Sequence, residues 1–188
     1  MDSFWIYIKI GLEHILDFNG ADHMLFVISL CTLFPLHKIR QLTILVTAFT
    51  LGHSISLALS VFSIVQISSY WVELFIPLSI LLTSSFNLWK KESPQTVFIY
   101  WIPLLFGLVH GLGFSNYLSA LLGSESSVGS ALFAFNLGLE IGQLLIVVGF
   151  LGIRETYLYF YPENSGLLFK VTNVLIILGS IFFIFDAI

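Results

Sequence analysis

Apolar residues in this chain come in long runs, and most polar residues gather between them. Six runs read as membrane spans, set against about 30 Å of hydrocarbon at about 1.5 Å per residue. They cover residues 21–36, 39–62, 70–89, 97–122, 128–153 and 166–188. Residues 3–18 differ. Phe4, Ile8, Leu12 and Ile15 recur at helical spacing, while Lys9, Glu13, His14 and Asp17 interrupt the apolar run. This pattern predicts an amphipathic helix lying at the membrane interface and leading into the first span. A short or re-entrant seventh span is the alternative. The connections are short, and no internal repeat or low-complexity linker is evident. The expected fold is all-α, a polytopic membrane helix bundle forming one integral membrane domain over residues 1–188.

Composition agrees. The chain is 57% hydrophobic and 10% charged, and 19 of its 188 residues are phenylalanine, whereas an ordinary soluble domain carries about 25% charge. The net charge of −4 includes no basic patch, so nucleic acid is not an expected partner, and no nucleotide-binding motif is present. Cys31 is the single cysteine, which excludes a disulfide framework or a thiolate cluster. The first residues lack the basic start and small-residue cleavage site of a signal peptide. Lipid is the expected surrounding, and the chain carries no clear signal for oligomeric state.

Basic residues set the expected orientation. Lys38 and Arg40 follow the first run, Lys90 and Lys91 the third, and Arg154 and Lys170 flank the loop after the fifth. The alternate loops carry none, so the positive-inside rule places both termini outside the cytoplasm.

Ionisable groups inside a membrane cost about 2.5–3.5 kcal/mol at a helix centre, which makes each one a functional candidate. His53, His110 and Glu140 lie within spans, and Asp22 and His23 open the first. Helical rise puts His53, His110 and Glu140 between mid-membrane and the outer face. The helix bearing His14 and Asp17 would cover that face. Asn136, Glu140 and Gln143 share one helix face, and Thr50, His53, Ser56 and Ser60 another. Gly107 and Gly111 bracket His110, and Gly138 and Gly142 bracket Glu140, as close helix approach requires.

Imidazole nitrogen with carboxylate oxygen suits borderline divalent ions. The candidate metal ligands are His14, Asp22, His23, His53, His110 and Glu140. The candidate ions are nickel and zinc first, then iron or cobalt. Plainer roles stand beside this one. Asn19-Gly-Ala-Asp22 has the spacing of a helix N-cap with an acid at its third position. His53 and His110, taken singly, read equally well as core histidines bonded to a backbone carbonyl. His37 reads as structural, Glu73 as snorkelling to the outer interface, and Asp186 as solvated.

Four motifs, GLEHILDFNGADHMLF, FTLGHSISL, FGLVHGLGF and FNLGLEIGQ, in that order, resemble the HupE/UreJ family of bacterial membrane proteins. The resemblance runs from about residue 8 to the last span. It implies a bacterial inner-membrane protein linked to nickel supply, acting as a permease or facilitator. It also implies that Asp22-His23, His110-Gly111 and Glu140 hold the family's polar positions. The chain departs from the nickel-permease pattern in two places. The step from His14 to Asp22-His23 is longer than the usual His-x5-Asp-His, and FGLVHGLGF has one histidine and no glutamate directly after it.

Two functions follow. The first is a divalent-cation permease, with Asp22, His23 and His14 receiving the ion and His53, His110 and Glu140 holding it deeper. The second is a membrane-embedded metal-dependent hydrolase acting on a lipid or lipid-linked substrate, with Glu140 as general base. A metal-stabilised scaffold is the third and plainest.

Overall fold

The computed structural model describes residues 3–18, 21–90, 97–122 and 127–188, with the side chains of residues 97, 98 and 116 also left aside. Among these the structure is helical, with no strand. Eight helices follow in order: α1 (Ser3–Leu16), α2 (Asp22–Thr32), α3 (Ile39–Val61), α4 (Ser69–Lys90), α5 (Trp101–Gly113), α6 (Ser115–Leu122), α7 (Val128–Phe160) and α8 (Ser165–Asp186). Four segments are long and apolar enough to span a membrane: Leu36–Val61, Ser69–Lys90, Val128–Phe160 and Pro162–Asp186.

The other two predicted spans are broken. Residues 97–122 divide into α5 and α6 at Phe114. The 11 residues of α2 reach only about 16 Å, too short to cross alone. The missing length comes from α1, which lies along α7 rather than flat at an interface. The Phe4 ring stands 6.5 Å from that of Phe133, Gly138 abuts the Ile8 carbonyl and Gly142 abuts Ile15. Further along α7, Arg154 donates to the carbonyls of Cys31 and Phe34, each at 2.9 Å. Numbers rise together on both sides, so α1 and α2 form one interrupted path parallel to α7. The first predicted span therefore starts too late. Asp22 and His23 sit at an internal break instead of a span mouth. Arg154 also changes role: it lies inside α7 and caps the C-terminal end of α2, where a cation offsets unpaired carbonyls.

The chain also carries a repeat that its hydropathy conceals. In α3 and α5, the Cβ missing from Gly107 would strike the Phe49 carbonyl and lie 3.0 Å from the His53 nitrogen. In α1 and α7, the Cβ missing from Gly11 would strike the Phe135 carbonyl and lie 3.0 Å from the Leu139 nitrogen. Gly52 meets the Leu104 carbonyl just as Gly138 meets that of Ile8. The sequence signature is GLEH (11–14) with GLVH (107–110), and FTLG (49–52) with FNLG (135–138). Each half thus runs half-helix, half-helix, long helix, long helix, and the first half-helix of one packs on the third helix of the other. The halves are inverted. Val46 shares a core with Val147 and Leu151, while Leu57 shares one with Leu132 and Phe135, so α3 and α7 run in opposite directions.

Candidate metal centre

Both breaks deliver histidines to one place. His14 ends α1, His23 starts α2, His110 lies in the last turn of α5, and His53 faces them from α3. Ring centroids are 4.8 Å apart for His14 and His23, 5.0 Å for His23 and His110, 5.7 Å for His23 and His53, and 6.1 Å for His14 and His53. Two imidazoles sharing one tetrahedral ion, with metal–nitrogen distances of about 2.0–2.1 Å, would place their centroids about 5 Å apart. The rings stand near that spacing. Their donor atoms are not drawn in, and no group of three His, Cys, Asp or Glu side chains among the described residues has the geometry of a formed metal site.

Hydrogen bonds orient two of the rings. His110 Nδ1 lies 2.8 Å from the Phe106 carbonyl. A carbonyl only accepts, so Nδ1 carries the proton and Nε2 keeps its lone pair. His23 Nδ1 lies 2.9 Å from Asp22 Oδ1, which leaves Nε2 basic by the same reasoning if the carboxylate is ionised. A carboxylate or carbonyl behind an imidazole is the usual orienting partner of a metal-binding histidine. His14 Nε2, His23 Nε2, His110 Nε2 and both nitrogens of His53 are buried without a hydrogen-bond partner. Unpaired buried polar atoms are costly and few in native folds. Several converging from four helices fit a cation better than they fit a packed core.

The surroundings are aromatic. The Phe114 ring lies 3.9 Å from that of His14, tilted by 34°, Phe49 lies 5.0 Å from His110, and Phe26 lies 5.4 Å from it. Phenylalanines at helical spacing look like any core, so hydropathy does not reveal this arrangement.

Glu140 is bonded by threonines rather than by the rings. Thr47 donates to its Oε1 at 2.6 Å and Thr50 to its Oε2, and Gln143 Oε1 lies 2.7 Å from the Thr50 hydroxyl. Thr50 precedes His53 by one turn, so Glu140 forms a second polar station beside the first. The polar faces of α3 and α7 meet there, though Asn136 turns back to the Leu132 carbonyl. Thr47 and Thr50 thus each occupy one acceptor position on the Glu140 carboxylate. Asp22 is the first residue of α2, and Ala21 makes no side-chain cap; Asn19 lies outside the described residues. The 570 Å³ cavity between α2, α4 and α5 is apolar and holds none of these groups.

Long apolar helices, two interrupted paths and a buried knot of imidazoles define a polytopic membrane protein with a histidine-lined interior. A profile of the HupE / UreJ protein family matches residues 1–187, and the chain belongs to that family, which is related to nickel and cobalt transport. No curated protein and no solved structure matches it.

Proposed function

We propose that this chain is a permease for a divalent transition-metal cation of the nickel or cobalt class, with His14, His23, His53 and His110 as its binding centre. Asp22 orients His23, and Glu140 with Thr47, Thr50 and Gln143 forms the next polar station along α3. The observation that carries this reading is the set of buried, unpartnered imidazole nitrogens converging from four helices. The inverted halves support transport over hydrolysis. Secondary transporters commonly place their substrate site between inverted repeats, at discontinuous helices near mid-membrane. The whole chain acts as one domain of the bacterial inner membrane, with both termini extracytoplasmic.

The test is metal content and uptake together. Purified protein loaded with Ni²⁺ or Co²⁺ should retain near-stoichiometric metal, and His53→Ala and His110→Ala should each lose it. Cells expressing the wild type should accumulate more of the same ion than cells expressing either variant. Wild-type protein that retains neither ion, in cells whose uptake is unchanged, would overturn the proposal.

A further inference from the structure

Glycine seams decide which helices travel together. On α1 and α7, a Cβ at Gly11 would strike the Phe135 carbonyl, and one at Gly138 the Ile8 carbonyl. On α3 and α5, a Cβ at Gly52 would strike the Leu104 carbonyl, and one at Gly111 the His53 carbonyl. Backbone therefore rests on backbone along both seams, and so close a packing resists deformation. Two further ties extend the first pair. Arg154 of α7 donates to two carbonyls at the end of α2. Asn87 of α4 bonds the Ser29 carbonyl and Thr32 beside it, and also Asn173 of α8. One body is then α1, α2 and α7, with α4 and α8 attached. The other is α3 with α5. Each body mixes helices from both inverted halves.

Side chains, by contrast, make the hydrogen bonds between the bodies. Thr47 and Thr50 of α3 bond Glu140 of α7, and Thr50 meets Gln143. The Tyr7 hydroxyl of α1 donates to the Leu121 carbonyl of α6, which follows α5, at 3.4 Å. The metal centre straddles this boundary. His14 and His23 stand on the first body, His53 and His110 on the second. The rings of His14 and His23 are 4.8 Å apart, and the pairs facing across the boundary are 5.0, 5.7 and 6.1 Å apart. An ion held by all four rings ties the bodies together. Any parting of the bodies divides the ligand set two and two.

We infer that the ion is moved by these two bodies shifting against each other, held while four imidazoles surround it and released when they separate into pairs. This rests on the permease reading above. A transport site must bind weakly enough to let its ion leave, and a ligand set that splits supplies the weak state from the same residues. Inverted-repeat transporters commonly rock one bundle against another. Here the sequence halves, residues 3–90 and 97–188, do not part as units, because α1 is locked to α7 and α3 to α5. The bonds of Glu140 to Thr47 and Thr50 break and re-form as the bodies move, since side chains make them. The seams hold, since backbone makes them.

The experiment links cysteine pairs in a Cys31→Ala background with a short thiol reagent that dithiothreitol cleaves, and reads Ni²⁺ uptake into cells. Two pairs lie across the bodies. Tyr7→Cys with Leu121→Cys replaces a hydrogen-bonded contact. Val46→Cys with Val147→Cys lies in a shared core, one turn from the Thr50–Gln143 contact on antiparallel helices. One pair lies within a body: Leu51→Cys with Leu105→Cys, the exposed neighbours of the Gly52–Leu104 contact. Linking either pair across the bodies should abolish uptake, and dithiothreitol should restore it. The same links should slow the loss of bound Co²⁺ from purified protein to excess EDTA, because the four rings no longer separate. The link within a body should change neither. Uptake that survives complete linking across the bodies, or that the link within a body abolishes, overturns this inference and leaves the permease standing. Wild-type protein that neither retains nor takes up the ion overturns the permease and this inference with it.

Discussion

Gly107→Ala tests the packing that holds the two halves together. A Cβ at residue 107 would run into the Phe49 carbonyl and lie 3.0 Å from the His53 nitrogen, whereas ordinary contact begins at 3.4 Å. The opposing atoms are helix backbone, so no side chain can swing aside. The α3–α5 seam must open by roughly 1 Å, and overpacking of this kind costs about 1–3 kcal/mol. For a chain of this length about 2 kcal/mol corresponds to a fall of about 4–8 °C in thermal midpoint. Gly11→Ala on the matching α1–α7 seam should fall by a similar amount, because its Cβ meets Phe135 and Leu139 in the same way. Gly149→Ala is the control: nothing lies within 4 Å of a Cβ there. The assay is thermal unfolding of the purified protein in one detergent, all variants side by side. Gly107→Ala should also weaken Co²⁺ binding, since it shifts His110 against His53. Midpoints for residues 11 and 107 that match the control would refute the close-packed seams and the repeat argued from them.

Four further outcomes follow from single contacts. Asp22→Asn should weaken Co²⁺ or Ni²⁺ binding by about 10–100-fold in a titration, because His23 loses its orienting carboxylate while the helices stay folded. Glu140→Gln should change equilibrium binding at the histidines by less than about threefold while slowing ion uptake into cells, because Glu140 bonds Thr47 and Thr50 and not the rings. Arg154→Ala should lower stability by about 1.5–3 kcal/mol, since two charge-assisted hydrogen bonds to α2 carbonyls are lost; denaturation in detergent reads it. Asn87→Leu should cost about 1–3 kcal/mol in the same assay. It leaves Thr32, Asn173 and the Ser29 carbonyl, bonded at 2.8–3.1 Å by one amide, without their shared donor.

Hydropathy reaches the long helices and fails at the broken ones, for a physical reason. The spans expected at 39–62, 70–89 and 166–188 correspond to α3, α4 and α8 within a few residues, because each is a single apolar run with breaks at both ends. The fourth divides at Phe114 within one apolar run, and the first is only the second half of a longer path that begins with α1. Lys9, Glu13 and His14 make residues 3–16 look interfacial, yet Gly11 lets that helix pack along α7. The fifth run extends past its predicted end at residue 153 to Phe160, because Arg154 has a buried helix end to cap. The closeness of His14, His23, His53 and His110 is legible only jointly: each imidazole alone could be a core histidine, as the His110 bond to the Phe106 carbonyl illustrates, and it is their common depth that points to one place. The threonine partners of Glu140 were not legible, because they depend on which way a side chain leaves α7 and on Thr47, one turn before Thr50. The repeat escaped because it rests on two four-residue signatures in long apolar runs.

The symmetry of the scaffold and the asymmetry of the site belong together. His14 and His110 occupy matching places in GLEH and GLVH, so the half-helices contribute one imidazole each. The long helices do not: the place of His53 on α3 is taken on α7 by Leu139, which is fully buried in the apolar core. Only the break between α1 and α2 adds a carboxylate and a further histidine, Asp22 and His23. Three of the four rings therefore come from the first half. A helix start inside a membrane leaves N–H groups unpaired, and an acid on its first turn complements them. Asp22 meets that local requirement at the start of α2, while the same carboxylate turns its neighbour's Nε2 toward the other rings. The break destabilises the span on its own account; its retention is explained by what it places between the two halves.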